Sequence, residues 1–385
     1  MKLIYLTHWR FPSEKTMTPL ILKTCAHFAR LGWEVELWVP RRHNGYKPEE
    51  NIFKLYKISP RFVIRRIACV DAMRFLGVFG FLFMVATFNL SAYLKLHRER
   101  DAVLYAHDMR DVILPALTKS PVFIEVHDFY ESSLFFINRF VLKHASGLIV
   151  TNTLKIDHIA RRYGFPRECM IHQPNAVEAK DFDTTVSQED ARTQLNLPCG
   201  GKIALYTGHL FGWKGVYTLA DASAFLPADM SVLFVGGTPE DRSALQAYIK
   251  KHNLPRIFFI PHQTNDKIPL YLKAADVLVL PNTAKEESSR IETSPVKLFE
   301  YLASGKPIVA SDIPSIRDIV SDREVFFAEP DNGESFARAI VEALKGDPEK
   351  SKTACSLARD HNWESRAEHI DTFIKRCLKI YYAHT

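Results

Sequence analysis

The stretch from Ala275 to Pro314 constrains this chain more than any other. It opens with the apolar run Ala275-Asp276-Val277-Leu278-Val279-Leu280-Pro281 and continues from Ile291 as IETSPVKLFEYLASGKPIVASDIP. The first run is short, apolar and closed by proline, which is the pattern of a buried strand. Ser294-Pro295 reads as a helix start, because a serine oxygen caps free amides and a proline at the first helical position loses nothing by lacking its N–H. The helix runs to about Ser304, Gly305 stops it, and Ile308 to Ala310 is a second buried strand. A helix feeding such strands belongs to a parallel sheet.

A helix start that faces a crevice offers unpaired N–H groups and the positive end of its dipole, here on the backbone of Thr293, Ser294, Pro295 and Val296. Glu292 stands beside that anion site and Glu300 two turns further along. A nucleotide sugar carries hydroxyls on its sugar and on its ribose with a diphosphate between, so one carboxylate at each end suits it, whereas a bare phosphate would be repelled. Two glutamates eight residues apart also occur on ordinary exposed helices, and alone they leave both readings open.

The surrounding residues add to the pattern. Glu292 and Glu300, inside SPVKLFEYLASGKPIVASDIPS and preceded by the strand at 275–281, resemble the donor-site signature of the retaining glycosyltransferases of family 4. That family has the GT-B fold, an α/β architecture of two facing Rossmann-like domains with a deep interdomain cleft. The resemblance is specific over residues 200–320 and weaker elsewhere. It implies that Glu292 contacts the transferred sugar near the reaction centre and that Glu300 binds the nucleotide ribose.

A length of 385 residues exceeds what one hydrophobic core accommodates, so two domains are expected. Residues 1–177 form the acceptor-side domain and 178–364 the nucleotide-sugar domain, with a helix at 365–385 packing back on the first. Ile171 to Val177 resembles the family's Pro-Asn-Gly-Val exit from the first domain, with Ala176 in place of glycine, and Trp363 to Glu368 resembles its closing helix. Six scattered cysteines without a C-x-x-C pair argue against a zinc site, a redox motif or a disulfide framework and fit a reducing cytoplasm. The amino terminus begins a strand and shows no signal peptide. Asp181-Phe182-Asp183 has the form of a metal motif but lies in a polar linker after no buried strand, so neither a metal nor another cofactor is expected.

In the first half, Lys2 to Thr7, Pro19 to Leu31 and Val35 to Val39 read as a βαβ unit without G-x-G-x-x-G. The intervening loop lacks the glycines the family often carries there; its Arg10 and Lys15 are either phosphate or acceptor contacts or plain loop cations. Further strands are expected at 103–106, 121–126 and 147–151. His127 follows one of them, where ligands bind in open α/β sheets. The resemblance implies that His127 approaches the donor sugar near the bond being broken, with Asp128 orienting it; a cap for the following segment is the other reading.

In the second half, the strand Lys202 to Thr207 leads into Gly208-His209-Leu210-Phe211-Gly212-Trp213-Lys214-Gly215. Gly208 permits close backbone approach, and Lys214 supplies a charge for the β-phosphate of a departing nucleoside diphosphate. The family usually carries an arginine after the first glycine, and His209 takes its place here. Either His209 donates a hydrogen bond or Arg290 fills the gap. The strand-end loops at Gly236-Gly237 and Pro261-His262 are expected to line the nucleotide pocket.

The net charge of +6 is uneven: residues 1–100 hold 17 Lys and Arg against 7 acids, and the remainder 33 against 37. Without a helix-turn-helix, zinc-finger or RNA-binding aromatic signature, nucleic acid is not an expected partner; an anionic membrane surface is. Arg61, Arg65, Arg66 and Arg74 precede an apolar run from Phe75 to Phe88, whose 14 residues fall short of the roughly 20 that a bilayer span needs. Two readings stand: a buried helix of the first domain, which is favoured, or a surface that lies on lipid.

The expected function is transfer of a sugar, with retention, from a UDP- or GDP-sugar to a hydroxyl of a lipid-linked or polysaccharide acceptor. The enzyme is expected in the cytoplasm or peripherally on the inner face of the cell membrane. His127, Glu292 and Lys214 are the catalytic candidates. Rivals are a nucleotide-sugar epimerase on the same architecture and a non-catalytic scaffold subunit, the latter favoured by His209.

Overall fold

The computed structural model describes residues 1–13, 17–42, 51–99, 101–127 and 131–384, so Lys15 and Asp128 lie outside the described residues. The chain divides into two compact units, Met1–Gln173 with Trp363–Thr385, and Pro174–Asn362.

The first unit is built on a seven-stranded sheet: β1 (Lys2–Leu6), β2 (Glu34–Pro40), β3 (Val63–Ile67), β4 (Ala102–Ala106), β5 (Val122–Val126), β6 (Gly147–Val150) and β7 (Met170–His172). Every pair is parallel and the order is β3-β2-β1-β4-β5-β6-β7. The winding reverses between β1 and β4, and the crevice at the carboxyl ends of those two strands is where such sheets take ligands. Side chains alternate between two cores: Leu3 and Tyr5 face Phe28 of α1 (Met17–Arg30), while Ile4 and Leu6 face Phe88, Ala92 and Leu96 of α2 (Met73–Leu96).

Helix α2 corrects the favoured sequence reading of residues 75–88. It is ten residues longer than that run, and only one stripe of it, including Met84, Val85, Phe88, Ala92 and Leu96, is buried. Phe75, Val78, Phe79, Leu82 and Phe83 face outward. The cause is periodic: at 3.6 residues per turn the sheet covers one side of the helix, and an all-apolar sequence leaves the other side uncovered. Gly77, at φ +51°, breaks the helical path one turn in.

The second unit carries β8 (Lys202–Thr207), β9 (Met230–Val235), β10 (Ile257–Ile260), β11 (Val277–Leu280), β12 (Ile308–Ser311) and β13 (Phe326–Ala328) in the parallel order β10-β9-β8-β11-β12-β13. Its winding reverses between β8 and β11. Helix α3 (Val296–Ala303) connects β11 to β12 and buries Leu298, Phe299, Tyr301 and Leu302 against the sheet. The carboxylates of Asp181 and Asp183 are exposed around a short turn whose Phe182 packs on the core. The chain then returns in α4 (Trp363–His384), whose Ile370, Phe373 and Ile374 join the core of the first unit beside Leu3 and Phe28.

Candidate functional site

At the carboxyl ends of β8 and β11, two glycines let the backbone come close. A Cβ on Gly215, at φ +72°, would lie 1.7 Å from the Pro281 carbonyl oxygen, and one on Gly208, at φ +119°, would lie 2.7 Å from the Lys297 Nζ. Between them the loop stacks its rings outward: His209 lies on Phe211 with centroids 4.9 Å apart, Phe211 on Trp213 at 6.3 Å, and the Lys214 Nζ sits 3.6 Å from the Trp213 ring. The buried Tyr206 hydroxyl ties this loop to α3, donating to the His209 carbonyl (2.7 Å) and accepting from the Lys297 Nζ (2.7 Å).

Lys297 is the residue that sequence reasoning missed. Neither His209, whose ring stacks on Phe211, nor the exposed Arg290 is the cation against Gly208; the first turn of α3 supplies it. Lys297 makes no ion pair among the described residues. Burial pushes its pKa well below the usual lysine value, Lys214 lowers it further, and Glu300 opposes both. A desolvated cation beside a second cation, at the carboxyl end of a parallel sheet, is a site prepared for an anion.

The start of α3 also differs from expectation. Ser294 caps nothing: its Oγ accepts from the Asn175 amide (3.4 Å) and its carbonyl from the Asn175 Nδ2 (2.6 Å). Pro295, with extended backbone at φ −68° and ψ 115°, occupies the cap position, so the helix begins at Val296. The Thr293 amide is spent on the Ser288 carbonyl (3.0 Å), closing a π-helical turn over Ser288–Glu292, and the Leu298 amide on the Pro295 carbonyl (3.0 Å). Pro295 has no N–H to give, so the donors left for an anion are the amides of Ser294, Val296 and Lys297. Glu292 ends the π turn, and Glu300 lies one helical turn beyond Lys297; both are partly buried.

On the first unit, His8, His107 and His127 follow β1, β4 and β5. The His127 Nε2 lies 2.5 Å from Glu125 Oε1, the same oxygen that accepts from Arg366 of α4 at 2.5 Å, while Tyr105 donates to Oε2 at 2.7 Å. Burial alone would raise the Glu125 pKa, but Arg366 and His127 hold it well below the usual carboxylate range. An ionised carboxylate only accepts, so His127 Nε2 carries the proton and, in the neutral ring, Nδ1 keeps the lone pair. Lys155 donates to the Thr151 Oγ1 (3.1 Å) and to the His127 carbonyl, which fixes the strand end. Among the described residues, Glu125 is thus the group that orients His127.

The His107 ring lies 4.3 Å from that of His127; burial, with His127 beside it, pushes its pKa down to about 3. His8 is held at both its amide and Nδ1 by the buried Asp111 Oδ1, each at 2.6 Å. The ligand atoms of His107, Glu125 and His127 lie within 4.8 Å of one another, which is metal-ligand spacing. Glu125 is already shared among Arg366, Tyr105 and His127, however, and the guanidinium supplies the positive charge a cation would bring.

Comparison with known proteins agrees with this architecture. A sucrose-phosphate synthase from Thermosynechococcus elongatus superposes with a TM-score of 0.80 at 18% identity, covering 98% of this chain and 99% of that one. HepE of Anabaena, solved in complex with UDP-glucose, superposes with a TM-score of 0.75 at 18% identity, covering 98% and 100%. The two parallel-sheet units therefore form the GT-B glycosyltransferase fold. Residues 187–375, just under half of the chain, match the family described as glycosyl transferases group 1. A Bacillus subtilis (strain 168) protein assigned to teichuronic acid biosynthesis as the glycosyltransferase TuaC is 28% identical over 156 residues, which are 40% of this chain and 36% of that protein. The chain spans about half the length of the other curated relatives it matches.

Proposed function

We propose that the protein is a retaining glycosyltransferase that moves a hexose from a UDP- or GDP-sugar, bound by the second unit, to a hydroxyl of a lipid-linked or polysaccharide acceptor bound by the first, on the cytoplasmic side of a membrane. The observation that carries this reading is the pair of lysines, Lys214 and Lys297, beside the free amides at the start of α3. Breaking the anomeric bond sends an electron pair to the diphosphate. Lys214, Lys297 and the amides of Ser294, Val296 and Lys297 stabilise that charge where it develops. Glu300 accepts from the ribose hydroxyls and Glu292 from the transferred sugar, while His127 presents Nδ1 to the sugar near the breaking bond. The acceptor oxygen attacks on the face the diphosphate leaves, and its proton passes to a phosphate oxygen, so configuration is retained. The lysines provide the electrostatic work, and the reading assigns no step to a metal. HepE, solved with UDP-glucose, and TuaC, named for teichuronic acid synthesis, support the donor and acceptor classes.

Incubation with a panel of UDP-, GDP- and ADP-sugars tests the reading. Slow release of the nucleoside diphosphate from one donor is expected. An isomerised donor would replace the reading with an epimerase, and failure to bind any donor would replace it with a scaffold subunit.

A further inference from the structure

The outer face of α2 is the largest feature that this chemistry leaves unused. Beyond the break at Gly77, Phe79, Phe83, Ala86, Leu90 and Leu94 recur at helical spacing, and these residues and Phe75 ahead of the break are all exposed, Phe75 by 85% and Phe79 by 78%. The opposite stripe is apolar too, and its Phe88, Ala92 and Leu96 sit in the core with Ile4, Leu6 and Leu104. A helix apolar on every side belongs in a protein core or in lipid. A contiguous exposed patch of this kind marks a contact surface. Helix α2 is 24 residues long and holds an 18-residue window of mean hydropathy 1.9, so by length and composition it is long and apolar enough to cross a bilayer. Its inner stripe is locked into the first unit's core, so the helix can lie along a surface but not span one.

Charge identifies the surface. Residues 61–98 carry six Lys or Arg against a single acid, Asp71, which already pairs with Arg42. Arg65 is tied to Glu36, whereas Arg61, Arg66 and Arg74 are exposed close to the apolar stripe in sequence. The complement is apolar inside and anionic at its rim, as an acidic bilayer is. A second copy of the chain fits less well, because a two-fold pairing sets each patch, with its arginines, against itself.

We propose that α2 lies on an anionic bilayer, with Phe75, Phe79 and Phe83 at the acyl boundary and Arg61, Arg66 and Arg74 at the headgroups. The inner side of the same helix reaches the β1 strand end: the Phe81 ring meets the His8 ring edge-on at 5.5 Å, and the Arg110 guanidinium lies 5.7 Å from it. A docked α2 thus brings lipid next to the crevice of the first unit, which makes the acceptor one carried by a lipid. That last step rests on the glycosyltransferase reading; the docking does not.

Co-sedimentation of the full chain with vesicles of phosphatidylcholine, with and without phosphatidylglycerol, tests the proposal. Binding to the anionic vesicles alone is expected. Combining Arg66→Gln with Arg74→Gln should lower partition by about thirtyfold at fixed salt, from the contribution of each basic residue near such a surface. The triple change of Phe75, Phe79 and Phe83 to serine should abolish it, with the circular dichroism spectrum and UDP affinity unchanged. Equal partition into both vesicle types, or no loss in either variant, would overturn the proposal. So would a dimer in vesicle-free buffer that the serine variant dissociates. UDP calorimetry on the same preparations separates the two ideas: vesicle binding without UDP binding sinks the transferase reading and leaves the docking, and the reverse sinks only the docking.

Discussion

Changing Lys297 to methionine keeps the side chain up to its ε position and removes the charged nitrogen. A hydrogen bond to a charged partner contributes about 1.5–3 kcal/mol, so UDP affinity should fall between about tenfold and about 150-fold. The pH dependence is more specific. In the free protein, burial first and Lys214 second hold the Lys297 pKa well below the usual lysine value, and a bound diphosphate raises it again. Between those two values UDP binding takes up a proton, and affinity falls as pH rises. The diphosphate's own last proton, with a pKa of about 6, is already gone above about pH 8. Calorimetry there, in two buffers of different ionisation enthalpy, should show proton uptake by the wild type and none by Lys297→Met. Stability moves the other way. A lysine whose folded pKa is depressed costs stability fully below that folded value, and the cost vanishes above the ordinary value of 10.5. The methionine variant should therefore melt at the same or a higher temperature at pH 7, so lost binding is not lost folding. Wild-type affinity together with wild-type proton uptake in Lys297→Met would refute the reasoning.

Glu300→Ala should weaken UDP binding while Glu292→Ala mainly lowers turnover; equal losses of UDP affinity, measured by calorimetry, would remove the division of labour between them. Glu125→Gln leaves the buried Arg366 without its counter-charge and should cost about 3 kcal/mol in urea unfolding at pH 7. Glu36 is raised by burial but brought to about 2 by its bonds from Arg65, Trp38 and Lys2, so its contribution is present above the ordinary carboxylate value of 4.5 and lost as pH falls toward 2. Solvent screening limits that contribution to about 1 kcal/mol, and the gap between wild type and Glu36→Gln in urea unfolding should close across this window.

The central strands were legible because their centres are unbroken apolar runs: Val277–Leu280 and residues 203–206 of β8 announce themselves. The strands missed, β3, β7 and β13, all lie at a sheet edge, and the VIRRI sequence of β3 carries two consecutive arginines, one on each face of the strand and both exposed. The outward face of α2 was misread because an all-apolar helix carries no periodic signal to say which side is covered. Ser294 looked like a cap because local chemistry allows it; the competing partner, Asn175, lies 119 residues away. Nothing local in the sequence marks Lys297 as buried, although its place three residues after Ser294 and three before Glu300 is a usable signal. The Tyr105, Glu125, His127 and Arg366 cluster hangs on a Glu125–Arg366 bond between residues 241 positions apart and had none beyond the histidine's place at a strand end.

The most direct measurement of the central claim is proton NMR of the preferred nucleotide sugar during turnover in the presence of a chelator. Release of the nucleoside diphosphate is expected, with the sugar appearing in a product of unchanged anomeric configuration. A donor that stays intact until divalent metal is restored, or a product of inverted configuration, would contradict it.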